Sequence, residues 1–343
     1  MEAGREARYL RALDETLNNP SMLGEAPSEL FAPIDEEGWL WVHTEGRRWR
    51  PAVAASLPPL PRDEEQVRYC GLAGDAALRQ AWAFYRLVLD VAEPRLGPAR
   101  TWRAVLDFGC GWGRVLRLFL KHVPSDRLWG VDCLQEAIRL CGGDWARFHH
   151  IAPRPPTTLP DATFDLIYAY SVFSHLSEEA HWAWLREFRR LLRPGGLLVV
   201  TTRPRRFIEW CAQVRAWSPL PAWAKGTAAA FPEARAWLAR YDAGEYCHVA
   251  TGGGEGLDAS FFGETCIPET YVRRRWPELL EILDVVADQA RCEQDVIVAR
   301  SPNRRGEPQR LLAEAGLTDG QESRRREILS SRTPAKNGVD ESS

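Results

Sequence analysis

The sequence predicts an α/β fold: a doubly wound, mostly parallel sheet with N-terminal and inserted additions that are helical or irregular. Three observations predict it. Between residues 103 and 201, short hydrophobic runs alternate with segments of helical period. The first of these runs ends in an acid and opens into glycines at alternate positions. The chain has 343 residues, 45% apolar and 27% charged, enough for a full core and about two domains' length of chain.

Residues 1–62 show no sustained period. Gly38–Val42 and Arg48–Arg50 flank Thr44-Glu45-Gly46, a pattern that predicts a small hairpin. Pro58, Pro59 and Pro61 close this N-terminal extension. From Asp63 to about Val91 the spacing is helical, with Leu78, Trp82, Tyr85, Leu87 and Leu89 as core contacts, until Pro94, Gly97 and Pro98 break it. Strands follow at 103–108, 128–132, 148–151, 164–169 and 197–201, with helices at 115–122, 134–141 and 178–192 between them. Such alternation implies a parallel sheet covered on both faces. Residues 203–262 interrupt it with four of the fifteen Trp (Trp210, Trp217, Trp223, Trp237) and the run Gly252-Gly253-Gly254-Glu255-Gly256. This segment is expected to be an insertion over the ligand edge, forming a lid on the acceptor site. A short helix at 268–276 and strands at 281–287 and 295–299 return to the core. Residues 301–343, polar and poor in aromatics, are expected to be disordered. The divisions are therefore 1–62, 63–202, 203–262, 263–300 and 301–343.

The formal charge is −3 and the pI about 6.2, a balance that disfavours a nucleic-acid partner. Only three basic residues are lysines (Lys121, Lys225, Lys336), a bias better explained by base composition than by function. No run approaches a membrane span, and the opening MEAGREARYLRALDETL lacks an apolar signal core, so a cytoplasmic protein is expected. The eight cysteines are scattered without CxxC or paired Cys/His spacing; free thiols and no metal are expected.

The chemistry concentrates in Val105-Leu106-Asp107-Phe108-Gly109-Cys110-Gly111-Trp112-Gly113-Arg114. Glycines at that place permit a tight turn and close approach of a ligand to the backbone. A dinucleotide loop requires G-x-G-x-x-G/A. Counted from Gly109 the sixth position is Arg114, and from Gly111 it is Leu116, so both frames fail. The pattern D-x-G-x-G-x-G is met from Asp107 to Gly113. Further signals follow in order: Asp132 closing the second strand, Asp161–Ala169, Ser171–Leu176, and Phe188–Val200 with its Arg193-Pro194-Gly195-Gly196 turn.

On these four motifs the chain resembles the class I S-adenosylmethionine-dependent methyltransferases, over about residues 65–202 and more loosely 263–300. The resemblance implies seven strands, the one at 295–299 antiparallel, and S-adenosylmethionine as cofactor. Asp107 and the backbone of Gly109, Cys110, Gly111 and Gly113 would hold the methionine moiety, Asp132 the ribose hydroxyls, and Cys133 and Leu134 the adenine. Many relatives carry an acid after the third strand for the adenine amino group. Here that stretch reads Ile151-Ala152-Pro153-Arg154-Pro155-Pro156, which leaves backbone groups for the purpose.

Plainer roles stand beside these. Asp107 could cap a turn and Asp132 a helix; Trp112 could face the cofactor or pack on the sheet. His175 is the candidate general base, since an imidazole near neutral pKa can take a hydroxyl proton, but a histidine there could also cap or orient the next helix. His181 reads as a solvated helix residue, Arg273–Arg275 as a solvated face, and Asp165 as structural. Tyr170, Ser171, Tyr246 and His248 are substrate candidates, with Glu264 and Tyr271 behind them. No Asn-Pro-Pro-Tyr motif follows the fourth strand, where Ala169-Tyr170-Ser171-Val172 stands. That favours oxygen over nitrogen, on a small molecule or a glycan. The rival readings are a catalytically silent cofactor-binding or interaction module and a nicotinamide-dependent oxidoreductase.

Overall fold

The structure, a computed structural model, describes residues 8–11, 15, 27–49, 51–221, 224–254 and 256–302. Of the tail expected to be disordered, 301–343, Ser301 is instead buried and exchanges backbone hydrogen bonds with Gly195 and Gly196, while residues 303–343 and Trp223 lie outside the described residues.

The described residues contain nine strands: β1 (Val105–Phe108), β2 (Leu128–Asp132), β3 (Arg147–His150), β4 (Phe164–Ala169), β5 (Leu192–Thr202), β6 (Cys247–Val249), β7 (Glu264–Cys266), β8 (Glu281–Val286) and β9 (Asp295–Arg300). Seven form one sheet in the order β3-β2-β1-β4-β5-β9-β8. The pairs from β3 to β5 are parallel; β9 runs antiparallel to both β5 and β8, as expected.

The hydrophobic runs are continuous because both faces are buried, and alternate residues serve opposite faces. Val105, Leu166, Tyr168, Leu197, Val199, Val296 and Val298 enter one core; Leu106, Ile167, Ala169, Leu198, Val200, Ile297 and Ala299 enter the other. The first core lies under the long helix Gly74–Leu96 and the N-terminal segment. The second lies under helices Glu178–Leu191 and Glu269–Arg275. The order reverses at β1, whose neighbours are β2 and β4, and a crevice opens there at the carboxyl ends of the strands.

Several expectations need correction. The hairpin at 38–50 is absent: Glu36–Trp41 and Arg47–Trp49 are α-helical, joined by a π-helical turn at Val42–Gly46. Asp35 caps the first helix by accepting from the Gly38 amide, and the helical spacing carries Trp39, Val42 and His43 to one buried face. The Trp39 indole donates to the Leu118 carbonyl at 2.9 Å and fastens this segment to the core. The helix expected from 63 is two, Asp63–Cys70 and Gly74–Leu96, because Gly71 takes a left-handed conformation (φ +73°) and ends the first. Residues Leu116–Lys121 form a tighter 3-10 helix, buried on every side. β7 pairs with β6 rather than within the main sheet, and an isolated bridge from Cys266 to Arg203 ties it to the end of β5.

Candidate active site

The loop after β1 turns through Gly109, Gly111 and Gly113, all with positive φ (+73°, +54°, +73°). Two of these positions also lack room for a side chain. A Cβ on Gly109 would lie 2.4 Å from Val172, and one on Gly113 2.7 Å from the Trp145 ring. At Gly111 the nearest atom would be Tyr69 at 3.9 Å, so its backbone faces open space. That space is a cavity of about 740 Å³ at the carboxyl ends of the strands.

Asp107 lines the cavity at 2% exposure, and its Oδ2 has no hydrogen-bond partner among the described residues. The Tyr168 hydroxyl, on the next strand, faces it but also lacks a partner in hydrogen-bonding geometry. Burial pushes the Asp107 carboxyl up to about 8, with the nearby Tyr168 hydroxyl and Arg114 opposing the rise and the Asp132 charge adding to it. A buried carboxyl with one oxygen unpartnered in a cavity wall can ionise against a cationic ligand group. Asp132 accepts from the Gly111 amide through Oδ2 and the Leu134 amide through Oδ1, both at 2.9 Å. It thereby ties the end of β2 to the glycine loop, and it too is raised by burial. Cys110, Gly111, Cys133 and Leu134 line the same cavity; Gly113 turns away from it. Trp112 packs with Leu78 and Leu140, on helices rather than on the sheet, and borders the cavity.

A smaller apolar slot of about 60 Å³ adjoins Gly109 and Asp132. The acid-free stretch supplies Ile151, Ala152 and Pro153 to it, and Phe261 and Phe262 close it from the insertion.

At the far side of the cavity stand Tyr170, Ser171 and His175. Ser171 has φ +58°, held by its amide donating to the Thr201 hydroxyl and by Gln294 donating to its own. The Tyr170 hydroxyl donates to Glu293 at 3.0 Å, and the Arg114 guanidinium covers its ring at 5.2 Å. The His175 Nδ1 lies 2.8 Å from the Gly263 carbonyl. A carbonyl only accepts, so Nδ1 carries the proton and Nε2 of the neutral ring carries the lone pair. Burial lowers the His175 pKa, with the Glu264 charge pulling the other way. His175 is not the helix cap: Ser177 accepts from the Ala180 amide and caps Glu178–Leu191.

Other candidates fall elsewhere. Tyr246 is buried away from the cavity, its hydroxyl donating to the Leu176 carbonyl and its ring against His181 and Tyr271. His248 stands behind the site, bonded to the Thr265 hydroxyl at 2.8 Å. Tyr271 bonds Trp182 and Glu178. His181 is not solvated: it is fully buried among Phe173, Trp182, Tyr246 and Trp276, on the same helical face as Leu185 and Phe188. Asp165 is structural as expected, accepting from the amides of Arg103 and Ala104 at the far end of the sheet.

Sequence reasoning missed the cavity residues Gln80, Arg114, Arg203, Glu293 and Gln294. Arg114 follows the last glycine and was within reach of a motif argument; the others come from distant segments with no local signal. Among the described residues no cluster of His, Cys, Asp or Glu suits a metal, and no helix is long and apolar enough to cross a membrane.

Residues 106–198 match the family model described as a methyltransferase domain. The chain is 32% identical over 133 residues to the trans-aconitate 2-methyltransferase of Azoarcus sp. (strain BH72), covering 34% of this chain and 51% of that protein. It is 30% identical over 130 residues to a probable S-adenosylmethionine-dependent methyltransferase of Mycobacterium tuberculosis, covering 34% and 41%. The chain thus spans about half the length, or less, of these curated relatives. Among solved structures it is similar to a Burkholderia thailandensis 1,6-didemethyltoxoflavin-N1-methyltransferase (17% identity, 71% of this chain, 92% of that one, TM-score 0.41). The family match runs from the first strand into the fifth, across the crevice lined by Asp107 and Asp132, so residues 106–198 carry a methyltransferase domain.

Proposed function

We propose that this protein is a methyltransferase that uses S-adenosylmethionine to methylate an oxygen of a small molecule or a glycan in the cytoplasm. The observation that carries the reading is the buried, unpartnered Oδ2 of Asp107 in the wall of the cavity, with Asp132 across the glycine loop. The cavity is of the size that encloses small ligands. Asp107 and the loop backbone receive the ammonium end of the cofactor. The Asp132 oxygens, each with capacity beyond its one backbone amide, accept from the ribose hydroxyls. Cys133 and Leu134 border the adenine, and the apolar slot behind Gly109 takes its ring. When bound, the cofactor supplies an electrophilic methyl group.

The chain's own contribution is alignment, exclusion of water and a place for the acceptor's proton. His175 takes that proton at Nε2, while Tyr170 and Ser171 border the acceptor. The insertion acts as the lid: Gly253, Gly254, Leu257 and Phe262 already form part of the cavity wall. The lining is mixed, with Tyr170, Val172 and Phe262 beside Arg68, Arg114 and Arg203.

Calorimetric titration with S-adenosylmethionine, its demethylated product and NADH tests the cofactor assignment. Binding of the first two, lost in Asp132→Ala, is expected; binding of NADH alone refutes the assignment. Transfer of labelled methyl to a panel of hydroxylated small molecules and glycans then tests the acceptor class. Tight cofactor binding with no transfer to any acceptor would favour the silent module.

A further inference from the structure

We infer that Glu264, on the hairpin of the insertion, is a positioning residue that raises the proton affinity of His175. The inference rests on His175 being the base that receives the acceptor's proton.

The backbone builds the mount. Gly263 donates to the His175 carbonyl at 2.7 Å, Thr265 to Ser174 at 2.8 Å, and Ser177 to Phe261 at 2.8 Å. The loop after β4 is therefore stitched to the segment leading into β7, and Leu176 and Phe262 form a bridge within it. Only glycine allows this approach at residue 263, where a Cβ would stand 2.0 Å from the Val249 carbonyl of β6. The His175 ring lies flat on Phe262, with centroids 4.7 Å apart and planes within 4°. Ring plane and tautomer are both set by this segment, the first by Phe262 and the second by the Gly263 carbonyl.

The charge arrives one residue later. Glu264 Oε1 lies 3.8 Å from His175 Nδ1, and Oε2 lies 3.3 Å from Arg203 Nε. Both side chains are largely shielded, His175 at 16% and Glu264 at 13% exposure, so solvent screens their interaction weakly. Three charged or titratable groups face the imidazole. Glu264 on β7 favours the imidazolium; Arg203, just past β5, and His248 on β6 oppose it. Arg203, which lines the cavity, holds the second Glu264 oxygen. A proton received at Nε2 makes the ring cationic, and Glu264 offers the compensating charge that burial otherwise denies. The insertion thus contributes to the chemistry as well as to the cover of the site.

The test is a histidine titration followed by NMR on the full-length protein without cofactor, with the His175 signals assigned by their loss in His175→Gln. In Glu264→Gln the His175 midpoint is expected to fall by about one pH unit, the scale of an opposite charge within 4–6 Å. In Arg203→Gln it is expected to rise. A midpoint unchanged in Glu264→Gln, or lowered in Arg203→Gln, overturns the inference. Should Glu264→Gln fail to fold, Glu264→Met, which removes the charge at similar length, is expected to show the same fall, and an unchanged midpoint there overturns the inference. A purely structural Glu264 would leave the His175 midpoint unmoved when its charge is removed. Because neither cofactor nor acceptor is present, the result is independent of whether methyl transfer is found.

Discussion

Replacing Asp107 with Asn should stabilise the protein without cofactor while depriving it of cofactor affinity. The carboxyl sits at 2% exposure with Oδ2 unpartnered, and burial carries its pKa from an ordinary 3.8 to about 8. A group whose folded pKa is raised adds most to stability below its unfolded pKa, and that contribution is lost as pH rises through the folded value. Between pH 3.8 and 8 the unfolded chain releases the Asp107 proton while the folded chain retains it. At pH 7 the interval from 3.8 to 7, at about 1.4 kcal/mol per pH unit, makes roughly 4 kcal/mol of lost stability. Asparagine is close in shape and never ionises, so Asp107→Asn should recover a large part of it. Urea unfolding at pH 5 and pH 7 measures this: the variant's advantage should be larger at pH 7 than at pH 5. The same carboxyl should ionise when it meets the cofactor's ammonium group. With a pKa near 8, about 0.9 of a proton should leave per cofactor bound at pH 7, readable by calorimetry in buffers of different ionisation enthalpy. An Asp107→Asn protein no more stable than wild type at pH 7, or one that binds the cofactor as tightly, would refute the reasoning.

Three further outcomes are expected. Asp132→Ala removes acceptors for the Gly111 and Leu134 amides as well as the ribose, and should weaken cofactor binding at least about 100-fold by calorimetry, the scale of two charge-assisted hydrogen bonds. His181 is fully buried with both ring nitrogens unpartnered, and burial lowers it to about 3. Its neutral form therefore adds stability above pH 6.5 that is lost as pH falls toward 3, and His181→Phe should flatten the acid limb of a melting-temperature profile. Arg117 is fully buried without a carboxylate and donates to the carbonyls of Gly113, Pro58 and Pro59 between the Trp112 and Trp145 rings. Arg117→Ala should cost about 3 kcal/mol in chemical unfolding, since those carbonyls lose their donor and the two rings their filler.

The sequence by itself determined the sheet and the cofactor loop. Runs such as Leu197–Val200 can only be strands buried on both faces, and Asp107 to Gly113 carries its own turn chemistry in consecutive residues. Local signals of this kind survive without knowledge of the rest of the chain. Where the local signal was ambiguous, tertiary packing overrode it. Gly38–Arg50 reads as a hairpin until the core offers one face to Trp39, Val42 and His43, and His181 reads as polar until Trp182 of its own helix and Phe173, Tyr246 and Trp276 from other segments close around it. Only the folded chain brought Glu264 and Gly263 behind His175, or Gln80, Glu293 and Gln294 to the cavity. Gln80, Glu293 and Gln294 lie far from the motifs in sequence and nothing at their own positions marks them, while Glu264 was legible only as a substrate candidate; their placement is a property of distance in space.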